Sequence, residues 1–357
     1  MIILNISSKS ERADMIKQLF PEGIPELWCP LITIYESSGR IDEERMKAHV
    51  REISPWVKNY LVPGSTGDGW EMNDEEVFRT LDIVLQIAAV SKVQVLIGIL
   101  KTEKGEARQS ILNILRWLKQ RTGEDKPLEC LKAVRVCGFT VCPPKGKEFS
   151  QAEIESELAS ILDIGVPTAI YQLPQITENE VSPEVVLNLA TRYGNFYLFK
   201  DTSGNDKVAL SGYDYEGVFL VRGAEGSYDR WLRTNGGCYD GFLLSTANCF
   251  AKELYRIIDY IKNGQLQDAS ELSQRLSEAV DEIFNSVANL TEGNAFTNAN
   301  KAIDQVMAYG SDAVNLQGPR LHSGGTLPGY IIKETLNILK NYGLLNENGY
   351  ITQGTVL

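Results

Sequence analysis

No stretch of this sequence is a long uncharged apolar run, so a membrane-spanning helix is not expected. An excess of positive charge is missing too. Lys and Arg number 35 against 47 Asp and Glu, a net charge of −12. Phosphate backbones are held by clustered Lys and Arg, so no nucleic-acid partner is expected. The six cysteines, Cys29, Cys130, Cys137, Cys142, Cys238 and Cys249, lack the paired spacing of a disulfide or zinc framework. They read as reduced, mostly buried thiols. The opening residues, MIILNISSKSERADMIKQLFPEG, carry charges where a secretory signal needs its apolar stretch. They read as a surface lead-in helix, and the cytoplasm is the expected compartment. Histidine is scarce: His49 lies in the helical run EERMKAHVREI and is expected at the surface, and His322 lies in the loop GPRLHSGG.

What is present is a globular composition, 43% apolar over 357 residues, enough for a large core. Short apolar runs recur at 27–35, 60–64, 93–100, 133–144, 167–174, 196–204, 218–226 and 238–248. Most are apolar at successive positions, as in strands buried on both faces of a parallel sheet. Helical runs with start signals separate them. Asn73 with Glu76, and Ser150 with Glu153, have capping-box spacing, and Ser182-Pro183 sets a cap before a proline at the first helical position. Strand then helix, about eight times, predicts an α/β fold, a (β/α)8 TIM barrel, with a doubly wound sheet as the alternative. After Phe250 the strand pattern stops and helical runs continue. The expected division is a lead-in at 1–24, a barrel at 25–263 and a C-terminal helical extension at 264–357, which shields one flank of the barrel or contacts another subunit.

Active sites of such barrels lie at the carboxyl ends of the strands. The run NFYLF ends in Lys200, and an ammonium in an apolar strand is costly to bury unless it is paired or gives up its proton. A neutral amine attacks carbonyl carbon. An ion pair with Asp201 and no chemistry is the plainer account. Tyr171 ends the preceding strand, one βα unit earlier, so adjacent strands would bring phenol and amine to the same rim. A phenol there can relay protons to and from a Schiff base, or be an aromatic core residue. The glycine-rich GSTGDG at 64–69 ends the second strand with two adjacent hydroxyls, Ser65 and Thr66. It is neither a Walker motif nor a dinucleotide fingerprint. Its hydroxyls and backbone N–H groups can hold a small carboxylate, and a carboxylate beside a nucleophilic lysine describes a 2-oxo acid.

Four stretches, GSTGDGWEMNDEE, AIYQLP, LFKDTSGND and the GxxxSTAN element at 241–248, occur in this order from the second strand to the eighth. Together they resemble the dihydrodipicolinate synthase / N-acetylneuraminate lyase family over roughly residues 25–345. The resemblance implies a (β/α)8 barrel with a C-terminal helical extension, a homo-oligomer (dimer or tetramer), and class I Schiff-base chemistry on pyruvate or a related 2-oxo acid. No metal and no other cofactor is implied. It implies that Lys200 forms the Schiff base, that Tyr171 shuttles protons with Thr66 in the relay, and that Ser65 and Thr66 bind the carboxylate. Gly223 would face the substrate through its backbone, and Glu225 and Ser245 fall where sialic acid lyases place polyol contacts.

Departures from the family pattern bear on the second substrate. Ile176 stands where dihydrodipicolinate synthases carry an arginine, which argues against the lysine-pathway substrate. The fourth strand ends in PPKGK, with Lys145 and Gly146, instead of Pro-Tyr-Tyr, and Gln172 replaces the usual Asn. The expected activity is therefore a C–C lyase or aldolase on a sugar-acid-type substrate. A dehydratase of the same family and a non-catalytic barrel binding an oxo acid are the alternatives. Asp74/Glu75 reads as helix N-terminal charge favoured by the dipole.

Overall fold

A computed structural model describes residues 7–351. The chain opens with α1 (Ser8–Leu19), β1 (Leu27–Pro30), α2 (Glu43–Ile53), β2 (Asn59–Val62), α3 (Asp74–Ser91) and β3 (Gln94–Ile99). It continues with α4 (Glu106–Thr122), α5 (Pro127–Ala133), β4 (Val136–Val141), α6 (Gln151–Leu162), β5 (Thr168–Gln172), α7 (Pro174–Thr177), α8 (Pro183–Arg192) and β6 (Phe196–Asp201). After α9 (Lys207–Leu210), β7 (Phe219–Arg222) and β8 (Gly241–Leu243) come four C-terminal helices. These are α10 (Ala247–Lys262), α11 (Leu266–Val287), α12 (Ala295–Tyr309) and α13 (Gly329–Asn341). The eight strands pair in sequence order as one closed barrel. Seven of the eight apolar runs contain their strand, β2 starting one residue before its run at Asn59, and each run continues past its strand into the following loop.

The strands β1, β2, β4, β5, β6 and β8 are buried at every position, which is why their sequences are continuously apolar and do not alternate. Both capping boxes form: Asn73 N–H donates to Glu76 at 2.8 Å and Glu76 N–H to Asn73 at 3.0 Å, with the same reciprocal pair at Ser150 and Glu153. Ser182 accepts from Val185 N–H ahead of Pro183. Asp74 and Glu75 stand in the first turn of α3, as read. Among the described residues, no helix is long and apolar enough to cross a membrane.

The described residues fall into two compact units. The first draws on residues 7–26, Gln94–Ala224 and Gly237–Leu243. Here the lead-in is the expected helix, largely exposed, with Arg12 and Leu19 as its buried residues. Arg12 of α1 is 1% exposed, and its guanidinium donates to Ala190 O at 2.6 Å, Tyr193 O at 2.8 Å, Phe196 O at 2.5 Å and Glu216 O at 2.5 Å. Ala190 and Tyr193 lie at the C-terminal end of α8, where carbonyls have no intrahelical partner. A fork of five N–H donors satisfies them and the first carbonyl of β6 together. The charge in the opening sequence that argued against a signal is thus, at Arg12, an anchor.

The second unit draws on Leu27–Val93, Glu225–Gly236 and residues 244–351. His49 is buried here, contrary to its expected place at the surface. Met46, His49, Val50 and Ile53 form the buried face of α2, a 3–4 spacing that already set His49 on the apolar side. Its Nδ1 lies 2.9 Å from Asp304 Oδ1, and Arg45 donates to Asp304 Oδ2 at 2.8 Å. Tyr350 OH donates to Asp304 at 2.6 Å. Burial works against the Asp304 carboxylate, and the charges of Arg45 and His49 overcome it, holding the group well below the usual carboxylate range. The six cysteines are free thiols, Cys29, Cys130, Cys137 and Cys142 fully buried.

Candidate active site

In the first unit, strand register decides which polar residues meet. Tyr171 of β5 pairs with Lys200 of β6, and Lys200 with Val221 of β7. The next row is Gln172, Asp201 and Arg222. Tyr171 and Lys200 are 2% and 5% exposed, and Lys200 Nζ lies 3.9 Å from the centre of the Tyr171 ring. Phenol and amine therefore share one face at the carboxyl ends of neighbouring strands. Burial pushes the thiol of Cys142, just past β4, up to about 12, against the opposing charge of Lys200. Cys137 is likewise pushed up to about 12 by burial, so both thiols are packing groups.

The ion-pair account of Lys200 meets the pleat of the strand. Successive residues point to opposite faces, so Asp201 faces away from its neighbour. Asp201 Oδ1 accepts from Ser203 N–H at 2.8 Å and from Gln172 Nε2 at 3.4 Å, and burial raises its carboxyl above the usual range. Gln172 Oε1 in turn accepts from Val181 N–H at 2.8 Å. Gln172 and Asp201 are thus the outward backing of the row that carries Tyr171 and Lys200.

Gly223 follows β7 directly, and its N–H donates to Asp201 O at 2.6 Å. A Cβ at this position would stand 2.3 Å from Thr202 Oγ1 and 2.9 Å from Lys200 Cε. The space beside the lysine stem exists only because residue 223 has no side chain. Thr202 has a place in the site that the sequence analysis did not assign. Its buried Oγ1 has no hydrogen-bond partner among the described residues. The signal was available, because positions 200 and 202 share a face in an extended chain.

In the second unit, GSTG folds as a short 3-10 turn over Ser65–Gly67 after β2. Gly67 is demanded by crowding: a Cβ there would lie 2.3 Å from Leu31 O. Gly67 and Gly69 N–H both turn back to Gly64 O at 3.0 Å. Those two amides are taken up by the turn itself. Trp70 Nε1 donates to Ser65 Oγ at 2.7 Å and sets that hydroxyl's direction. Thr66 is 3% exposed.

Glu225 and Ser245 meet each other. Ser245 Oγ donates to Glu225 at 2.7 Å, Thr246 Oγ1 at 2.7 Å, Tyr228 OH at 3.0 Å and Thr246 N–H at 3.1 Å. Four donors answer one carboxylate, so a substrate hydroxyl reaching it would compete with internal bonds. The loop after β4 is tied to the loop after β5. Asn179 Nδ2 donates to Pro144 O at 2.7 Å and Gly146 O at 2.9 Å, and Lys145 pairs with Glu178 at 3.3 Å. Ile176 lies in α7 and is 36% exposed. His322 lies in a loop, as expected, 3.2 Å from Glu76.

Comparison with known proteins adds a lineage to this geometry. Residues 131–298 match the Dihydrodipicolinate synthetase family, a span that runs from before β4 into α12. A 4-hydroxy-tetrahydrodipicolinate synthase of Campylobacter jejuni subsp. doylei is 22% identical over 247 residues, covering 69% of this chain and 76% of its own. The structure of a Sulfolobus solfataricus 2-keto-3-deoxygluconate aldolase variant covers 89% of this chain and 96% of its own, with a TM-score of 0.66 at 16% identity. A prophage protein from E. coli K12 belonging to the dihydrodipicolinic acid synthase family, solved in complex with pyruvate, covers 89% and 98% with a TM-score of 0.67 at 17% identity.

Proposed function

We propose that the chain, whose residues 131–298 match the Dihydrodipicolinate synthetase family, is a Schiff-base-forming aldolase or lyase acting on pyruvate or a related 2-oxo acid. The observation that carries this reading is the pairing of a buried Lys200 amine with the face of a buried Tyr171, in register on adjacent strands.

In the proposed sequence the Lys200 amine attacks the ketone carbon. Water leaves, and a protonated imine joins Nζ to that carbon. Removal of a proton from the adjacent carbon gives an enamine, which adds to an aldehyde. Run backwards, the same steps cleave a C–C bond. Tyr171 carries protons to and from these centres, with Thr66 in the relay. Ser65 and Thr66 take the carboxylate, and Gly223 leaves room beside Lys200 for the bound carbon skeleton. The imine is the electron sink, so the scheme calls for no metal and no other cofactor. We further propose a sugar-acid-type second substrate, supported by Ile176 in place of the arginine. Glu225, Ser245 and the Thr202 hydroxyl, which has no hydrogen-bond partner among the described residues, are its proposed polar contacts. A homo-oligomer working in the cytoplasm, with neither nucleic acid nor membrane as partner, completes the reading.

Borohydride reduction with pyruvate, followed by intact mass and peptide mapping, tests it. A reduced pyruvyl adduct on Lys200, lost in Lys200→Ala, is the expected result. Wild-type protein left unmodified by pyruvate and by larger 2-oxo acids would overturn it. Turnover of pyruvate with a panel of hydroxyaldehydes, and with the lysine-pathway aldehyde, identifies the second substrate.

A further inference from the structure

One face of α12 holds the hydroxyl loop. Asn294 caps the helix, accepting from Thr297 N–H at 2.9 Å, while its Nδ2 donates to Ser65 O at 3.3 Å. Thr297 Oγ1 lies 3.2 Å from Ser65 O and 3.1 Å from Thr66 O. Lys301 Nζ donates to Asp68 Oδ2 at 2.8 Å and to Arg320 O at 3.2 Å, and stands 4.6 Å from the centre of the Tyr35 ring. The spacings of three and four place Asn294, Thr297 and Lys301 on a single helix face. Each of the three residues makes at least one contact to Ser65, Thr66 or Asp68.

The energetics of these contacts point away from stability alone. Both partners of the Lys301–Asp68 pair are almost fully withdrawn from water, with side chains 2% and 3% exposed. Removing two charges from water costs about as much as their attraction returns, and apolar pairs of similar volume usually do as well. What a buried pair and a shared threonine hydroxyl supply is a single geometry. Asp68 sits in the left-handed region at φ +62 with its carboxylate on Lys301. The Thr297 hydroxyl shares its proton between the carbonyls of two successive peptides, Ser65–Thr66 and Thr66–Gly67, and so sets the orientation of the backbone on either side of Thr66.

We propose that Asn294, Thr297 and Lys301 are positioning residues that hold the Ser65 and Thr66 hydroxyls in the geometry selecting a 2-oxo acid over a neutral ketone. The proposal rests on the Schiff-base reading above. On this account the C-terminal extension is the outer support of the carboxylate cradle.

The test compares borohydride trapping on Lys200 by pyruvate and by pyruvamide, its uncharged isostere, in the full-length protein. Thr297→Val, which is close in volume, is expected to raise the pyruvate concentration for half-trapping about tenfold while moving that for pyruvamide much less. Thr297→Ser, which keeps the hydroxyl, should restore discrimination. The paired change Asp68→Asn with Lys301→Met, which leaves no lone buried charge, should reproduce the Thr297→Val effect; should it not fold, the two Thr297 variants decide. A pyruvate-to-pyruvamide ratio unchanged in folded Thr297→Val overturns the proposal, as does an equal loss for both ligands. Wild-type protein that traps neither ligand on Lys200 overturns the Schiff-base reading, and this one falls with it. Wild-type trapping with unaltered variants overturns this one alone.

Discussion

Lys200 Nζ stands 3.9 Å from the centre of the Tyr171 ring, and the two residues are register partners on β5 and β6. The contact presents the π face of the ring to the amine, and a cation is attracted to that face. Tyr171→Phe keeps the ring while removing the acid. Adduct formation on Lys200 is therefore expected to survive, with turnover falling by about 10²- to 10⁴-fold, the range for losing a positioned proton donor. Equal turnover in the two proteins would remove Tyr171 from the proton path. The measurement is kcat with pyruvate and the accepted aldehyde, beside the trapped fraction.

Gly223→Ala asks whether the gap beside Lys200 is required. The added methyl meets Thr202 Oγ1 at 2.3 Å and Lys200 Cε at 2.9 Å, closer than carbon contacts allow. Something must shift, at a cost of about 1–3 kcal/mol. The lysine stem is the flexible neighbour, so the rate of trapping is expected to drop more than thermal stability does. A variant that traps at the wild-type rate would show that Lys200 does not need this space.

Arg12→Met retains much of the side chain's volume and loses all five donors. The carbonyls of Ala190, Tyr193, Phe196 and Glu216 would then be short of partners inside the fold. Each unsatisfied buried group costs about 1–3 kcal/mol, with water recovering part of it. Urea unfolding should show a loss of several kcal/mol. A midpoint equal to wild type would show α1 to be dispensable.

Asp304 links stability to pH. Its carboxyl titrates lower in the folded chain than in the unfolded chain, because Arg45 and His49 outweigh the effect of burial. It therefore contributes stability above the unfolded carboxyl range, about pH 4, and that contribution is lost as the pH falls below it. Asp304→Asn leaves Arg45 and His49 facing an amide, and is expected to cost about 3–5 kcal/mol near neutrality. The variant should also lose that part of the acid dependence. Urea midpoints between pH 6 and pH 3 for both proteins check the sign. Parallel curves would show that Asp304 does not carry the dependence.

Much of the architecture was legible in the chain, because it rests on local signals. Continuous apolar runs marked all eight strands, since both faces of a parallel sheet are covered. Asn73, Ser150 and Ser182 marked helix starts, since a cap is a bond between residues three apart. Tyr171 and Lys200 could be brought together because one βα unit is a fixed offset in a parallel barrel. The less legible features are residues whose partners are distant in sequence. His49, expected at the surface, is buried: its spacing with Met46, Val50 and Ile53 sets it on the apolar face, and its partner Asp304 lies in α12. Arg12 is buried in an otherwise largely exposed helix, and the carbonyls that receive it lie nearly two hundred positions away.

The sequence by itself determined the order of strands and helices, the register row of Tyr171 and Lys200, and the hydroxyl pair after β2, because periodicity, caps and strand offsets are short-range properties. Only the tertiary structure decided that Glu225 and Ser245 answer each other, that Gly223 opens the space beside the lysine stem, and that α12 grips the hydroxyl loop. Those are contacts between segments far apart in the chain, set by how the elements pack, and no local pattern encodes which side chain will meet which.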